Sequence, residues 1–135
     1  MNEEEYLNQA RFWAGQNQYG KAIELLEEAV ASGNETSEIC KELARLSLTV
    51  NEVRAFANWC HEAIRINRTD PEPYLMIGRV LVAEGRWSEA IEALQQALTS
   101  AYLAPDQQSE AAGLLRAAEQ GFAQYKSTHP GTSNL

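Results

Sequence analysis

The chain has 135 residues, with 11 basic side chains against 19 acidic ones and a net charge of −8. That length suits one domain, and that charge opposes nucleic acid or an anionic bilayer as a partner, because a binder of either must neutralise phosphates. No run of about eighteen apolar residues occurs, and the opening MNEEEYLNQ is acidic and polar, the reverse of a secretory leader. A cytoplasmic protein without membrane insertion is therefore expected.

The first predicted helix carries Tyr6, Gln9, Ala10 and Trp13 at amphipathic spacing. The segment GQNQ then reverses the chain, and a second helix follows with Tyr19, Ala22, Ile23, Leu26, Ala29 and Val30 on one stripe. The next pair repeats the scheme. Cys40, Leu43, Ala44 and Ser47 precede the turn TVNE, and Val53, Phe56, Ala57, Cys60, Ala63 and Ile64 follow it. Asp70-Pro71 reads as an N-cap followed by proline at the first helical position. Tyr74, Ile77, Gly78 and Leu81 then lead through the turn AEGR to Trp87, Ala90, Ile91, Leu94, Ala97 and Leu98.

The three second-helix stripes superpose after shifts of 34 residues without any insertion. A fixed period of that size marks stacked supersecondary units. Small residues hold one slot of each first helix, at Ala10, Ala44 and Gly78. Ala22 and Ala90 hold the slot opposite, and in the second copy Phe56 fills that slot instead. Overpacking at Gly78 is expected to force its helix pair apart.

Beyond the third copy, Leu115, Ala118, Phe122 and Tyr125 form the stripe of one more helix within residues 105–127. Its remaining positions are mostly polar, as the terminal cap of a stack requires. The same helix could also fold over a groove or swap between subunits. Residues 128–135 are small and polar, and are expected to be disordered.

A 34-residue helix–turn–helix unit with the spacing Tyr74-x2-Ile77-Gly78-x2-Leu81, then Ala90-x3-Leu94-x2-Ala97, resembles the tetratricopeptide repeat. The resemblance covers residues 3–36, 37–70 and 71–104, with the second copy the most degenerate. It implies an all-α, right-handed α-solenoid of three antiparallel helix pairs with a capping helix, one domain over residues 1–127. In that family the first helix of each unit lines a concave groove. Carried over, the groove positions place Arg11, Arg45 and Arg79 at one register, Leu7, Lys41 and Leu75 at a second, and Ala14, Leu48 and Val82 at a third. Glu4, Glu38 and Glu72 repeat near the helix starts, where a carboxylate complements the helix dipole.

The arginines lie mid-helix, so the dipole does not explain them. Arg45 has Glu42 within one turn, whereas Arg11 and Arg79 have no local acid, which leaves either a ladder with the glutamate row or a ligand. Three forked donors suit carboxylates or the carbonyls of an extended peptide. Some relatives clamp the C-terminal carboxylate of heat-shock chaperones with Lys, Asn and Arg. The matching positions here are Leu7, Arg11, Glu42, Glu72 and Met76, so that specific activity is not expected.

Chemistry of other kinds finds no support. His61 and His129 are the only histidines, no Cys/His cluster has metal-ligand spacing, and no Gly-rich phosphate loop or nucleophile elbow occurs. Carboxylates such as Glu24, Glu27 and Glu28 read as solvated surface. Cys40 and Cys60 each occupy an apolar stripe position, which favours buried free thiols over a disulfide. The expected function is a non-catalytic module that needs no cofactor or metal and binds a protein or peptide in its groove. The alternatives are a self-associating assembly scaffold and a secretion-type chaperone that shields an apolar client segment.

Overall fold

The computed structural model describes residues 1–130, which form seven α-helices and no strand. They are α1 (Glu3–Gly15), α2 (Tyr19–Ala31), α3 (Ser37–Thr49), α4 (Val53–Ile66), α5 (Glu72–Ala83), α6 (Trp87–Leu98) and α7 (Pro105–Thr128). Helices α2, α4 and α6 begin at 34-residue intervals, as the sequence period requires. The chain falls into two compact units, Met1–Arg68 and Thr69–Leu135.

Helix starts follow local chemistry. The Asn2 side chain accepts from the Glu5 amide at 2.9 Å, and the Glu5 carboxylate accepts from the Asn2 amide at 3.1 Å, closing a capping box before α1. Thr36 caps α3 through the Ile39 amide at 3.2 Å. Asp70 Oδ1 accepts from the Glu72 amide at 3.0 Å, so α5 starts one residue beyond Pro71.

The turn inside each helix pair uses one device three times. Asn17, Asn51 and Gly85 stand 34 residues apart, with φ of 60°, 64° and 72°. In each case the following amide reaches back to the first helix: Gln18 to the Trp13 carbonyl at 2.8 Å, Glu52 to Ser47 at 2.8 Å and Arg86 to Leu81 at 2.9 Å. This is a Schellman closure, which needs a residue tolerant of the left-handed region. Asn51→Val places a β-branched residue there. It is expected to cost ~1–2 kcal/mol in a denaturant melt, whereas Asn51→Gly should be close to neutral.

In the first unit α1 packs on α2, α2 on α3 and α3 on α4. Tyr6, Ala10, Ala22, Leu26, Ala29, Ile39 and Leu43 form its core, and α4 adds buried Phe56, Cys60 and Ala63. Gln9, placed on the α1 stripe by spacing, is exposed, and Leu7 takes the interior position instead. Cys40 and Cys60 are free and buried, and burial pushes both thiols up to about 12.

In the second unit α6 packs against both α5 and α7. Leu75, Leu94, Ala97, Leu103 and Ala111 form one cluster, and Leu81, Ala90 and Ala118 a second. Two glycines permit close approach. A Cβ on Gly78 would lie 2.5 Å from Leu94 Cδ2, and one on Gly121 would lie 2.6 Å from the Trp87 ring. The residue facing Gly78 is thus Leu94, one helical turn beyond the Ala90 named from spacing. The end of α7 is extended by His129, whose ring stacks on Tyr125 at 4.2 Å between centroids. Of the tail expected to be disordered, residues 131–135 lie outside the described residues.

Candidate functional site

The three arginines at the groove register of the first helices have three different environments. On α1, Arg11 is exposed and makes no ion pair among the described residues. On α3, Arg45 Nη1 donates to Glu42 Oε2 at 2.9 Å, the intrahelical pairing that the spacing anticipates. On α5, Arg79 meets a carboxylate of α7: its Nε donates to Glu110 Oε2 at 2.6 Å and its Nη2 to Glu110 Oε1 at 2.7 Å. This two-pronged arrangement is the geometry in which a guanidinium binds a carboxylate best.

The hydrogen bonds from Arg79 hold the Glu110 carboxyl below its usual range, and Glu110 in return raises Arg79. With its pKa depressed in the folded state, Glu110 contributes stability above the ordinary glutamate range and loses it as the pH falls through the folded value. The pair is about half exposed, at 45% and 40% for the two side chains, so its worth is small.

Two glutamate partners of the first helices are given by ion pairs. Glu38 takes Lys41, with 2.9 Å between the ammonium and Oε1, and Arg79 takes Glu110. Glu72 adds only a weaker electrostatic contribution at Arg79. A different relation repeats. Arg11 and Glu42 are separated by the same 31 positions as Arg79 and Glu110. In the first unit Glu42 is drawn to Arg45 on its own helix. The position of Arg45 corresponds to Gly113 on α7, so nothing on that helix competes there for Glu110.

The flanking positions divide. Leu7, Lys41 and Leu75 are buried, at 7%, 5% and 0% exposure, so this register offers a ligand little surface. Leu48 is exposed, and Val82 is half-buried against Leu75 and Leu81. Sequence reasoning missed Phe12, which projects from α1 at 59% exposure with its ring edge-on to Trp13. The Lys21 ammonium covers the Trp13 ring at 4.6 Å. Only the departure from Leu46, which fills the equivalent place on α3 and is buried, could have flagged it.

Elsewhere in the second unit, Gly85, Arg86, Trp87, Ser88, Glu89, Phe122 and Tyr125 line an open cavity of about 420 Å³. Arg86 and Glu89 neutralise each other across it with hydrogen bonds of 3.0 and 2.6 Å. Among the described residues, no group of three or more His, Cys, Asp or Glu could hold a metal ion, and no helix is long and apolar enough to cross a membrane.

A family profile described as tetratricopeptide repeat matches residues 74–109. No curated protein matches the chain. Among solved structures, the tetratricopeptide domain of P58(IPK) is similar with a TM-score of 0.77 at 19% identity, over 87% of this chain and 32% of that one. The type III secretion chaperone SycD of Yersinia enterocolitica, solved with a peptide of the translocator YopD, gives 0.78 at 13% identity, over 87% and 92%. The TPR2B domain of yeast Sti1, solved in a complex with pHsp70, gives 0.74 at 18% identity, over 87% and 95%. The chain thus spans about a third of the first of these and nine-tenths or more of the other two. The fold is that of an all-α tetratricopeptide-like solenoid.

Proposed function

We propose that this chain, whose residues 74–109 match a tetratricopeptide repeat profile and whose fold is tetratricopeptide-like, is a non-catalytic protein-interaction module that holds a partner peptide or helix against the first helices of its repeats. The observation that carries this reading is the recurrence of arginine at one register of α1, α3 and α5, where neither core packing nor the helix dipole calls for it. Arg11, Arg45 and Arg79 would supply forked donors to carboxylates or carbonyls, with exposed Leu48 and half-buried Val82 as apolar contacts. Leu7, Lys41 and Leu75 would support that surface from below rather than touch a ligand. Support comes from SycD and the Sti1 domain, both solved with a peptide or protein partner. The residue types of the heat-shock carboxylate clamp are missing at Leu7, Glu42, Glu72 and Met76, so the partner is expected to be held by other contacts.

A chaperone reading has one specific observation in its favour, the match to nearly the whole length of SycD. It differs from the adaptor reading in the client, an apolar segment kept from aggregating. A light-scattering assay of the captured partner with and without this protein separates the two.

The test of the surface is the triple variant Arg11→Glu, Arg45→Glu and Arg79→Glu. These side chains lie outside the cores, so circular dichroism should remain helical. The local charge moves by six units, two at each site. Retention of a partner identified by pull-down and mass spectrometry should fall at least tenfold, and wild-type retention should weaken with added salt. A folded variant that retains the partner fully would move the binding surface elsewhere.

A further inference from the structure

We propose that Glu110 is an internal ligand of Arg79, and that the place it occupies is a carboxylate-binding site which an acidic side chain of a partner takes over by turning Glu110 aside. This deepens the proposed function and rests on it for the identity of the surface. Three observations lead to it. The contact is a two-pronged guanidinium–carboxylate pair with distances of 2.6 and 2.7 Å, the arrangement an external carboxylate would adopt. It also joins two helices held together independently of it. Helix α7 is anchored by Ala111 and Ala118, both fully buried, and by Gly121 against Trp87. Freeing Arg79 therefore requires only a new rotamer at Glu110, with α7 left in place. Finally, the pair is half exposed, so an incoming peptide can reach it and breaking it costs little.

The first unit carries the same two residue types at the same spacing. Arg11 stands 31 positions before Glu42, as Arg79 does before Glu110, but Glu42 is engaged by Arg45 and Arg11 is left exposed. The arginine register thus contains one accessible donor fork, at Arg11, and two engaged by the chain's own carboxylates, of which only that of Arg79 is two-pronged and held from another helix. The partner chemistry that fits Arg11 and Arg79 is an acidic peptide.

The experiment measures fluorescence anisotropy of a fluorescein-labelled hexaglutamate peptide with the full chain. Wild type, Glu110→Gln, Arg79→Gln, the double variant Glu110→Gln/Arg79→Gln and a charge control, Glu119→Gln, are compared at low salt. Glu119 is exposed on the same helix and makes none of these contacts. Glu110→Gln should tighten binding by about fivefold, the worth of an exposed ion pair. The gain should vanish in the double variant, and Glu119→Gln should match wild type. Equal affinity of Glu110→Gln and wild type would overturn the proposal, as would a gain that persists without Arg79 or is reproduced by Glu119→Gln. Absence of peptide binding by every variant would overturn it as well. Loss of the natural partner in the triple-arginine variant is read separately, so the binding surface can stand while the internal ligand fails.

Discussion

Replacing Gly78 by leucine lowers the thermal midpoint by roughly 5–15 °C, the expected result of overpacking worth ~1–3 kcal/mol in a domain of this size. The reason is local and geometric. A Cβ on Gly78 would lie 2.5 Å from Leu94 Cδ2 and 2.8 Å from its Cγ, closer than real side chains approach. Leu94 is fully buried beside Leu75 and Ala97, so it has no solvent-facing rotamer to retreat into. Helices α5 and α6 must then separate, and the cores that depend on them loosen. Gly113→Ala is the matching control. A Cβ there meets nothing within 4 Å, and an alanine in a helix interior gains up to ~1 kcal/mol over glycine. Differential scanning calorimetry on the two variants should move the midpoint in opposite directions. An unchanged midpoint for Gly78→Leu would mean that the α5–α6 packing described here is not the one in solution.

Deleting residues 105–135 should have a larger effect on the second unit. Helix α7 covers α6 along its length and part of α5. Its removal uncovers Leu75, Leu94, Ala97 and Leu103 on one side and Leu81, Ala90 and Trp87 on the other. A contiguous apolar face of that kind drives aggregation or pairing with a second copy. Size-exclusion chromatography with light scattering is expected to show oligomers or precipitate where the full chain elutes as a smaller species. A truncated chain that stays monomeric and melts at the full-length midpoint would show that α7 is not a cap. It would then be an arm, free to engage a partner.

The helices were legible because the 34-residue period reports burial, and burial decides which face of each helix turns inward. Trp87, Ala90, Leu94 and Ala97 behave as that period demands. The turns were legible at Asn17, Asn51 and Gly85 for a separate reason, since few residues tolerate a positive φ. The site was less legible. Leu7 and Gln9 lie on neighbouring arcs of α1, and spacing alone put the wrong one inside: the register of Leu7 is buried in every copy, whereas that of Gln9 is buried at Leu43, half-buried at Ile77 and exposed on the end helix. The partner of Arg79 was hidden differently. The period runs on from residue 71 to residue 105, where α7 begins, and that register sets Glu110 where Glu42 and Met76 stand in earlier copies. Reading α7 as a cap, or as an arm over a groove, without extending the repeat register into it left that acid unnoticed.

Every helix interface within the two units joins neighbours in the chain or helices one element apart. That pattern bears on how the protein is made. Short closures cost little loop entropy, and chains dominated by local contacts fold in microseconds to milliseconds. Synthesis delivers residues far more slowly, at about 5–20 per second. The helices of Met1–Arg68 can therefore pair while Thr69 and its successors are still being added. The vulnerable interval falls at the far end of the chain. Between the appearance of Leu98 and the completion of α7, the face of α6 that meets α7 has no cover, and it is then that a chaperone or a neighbouring nascent chain has its opening.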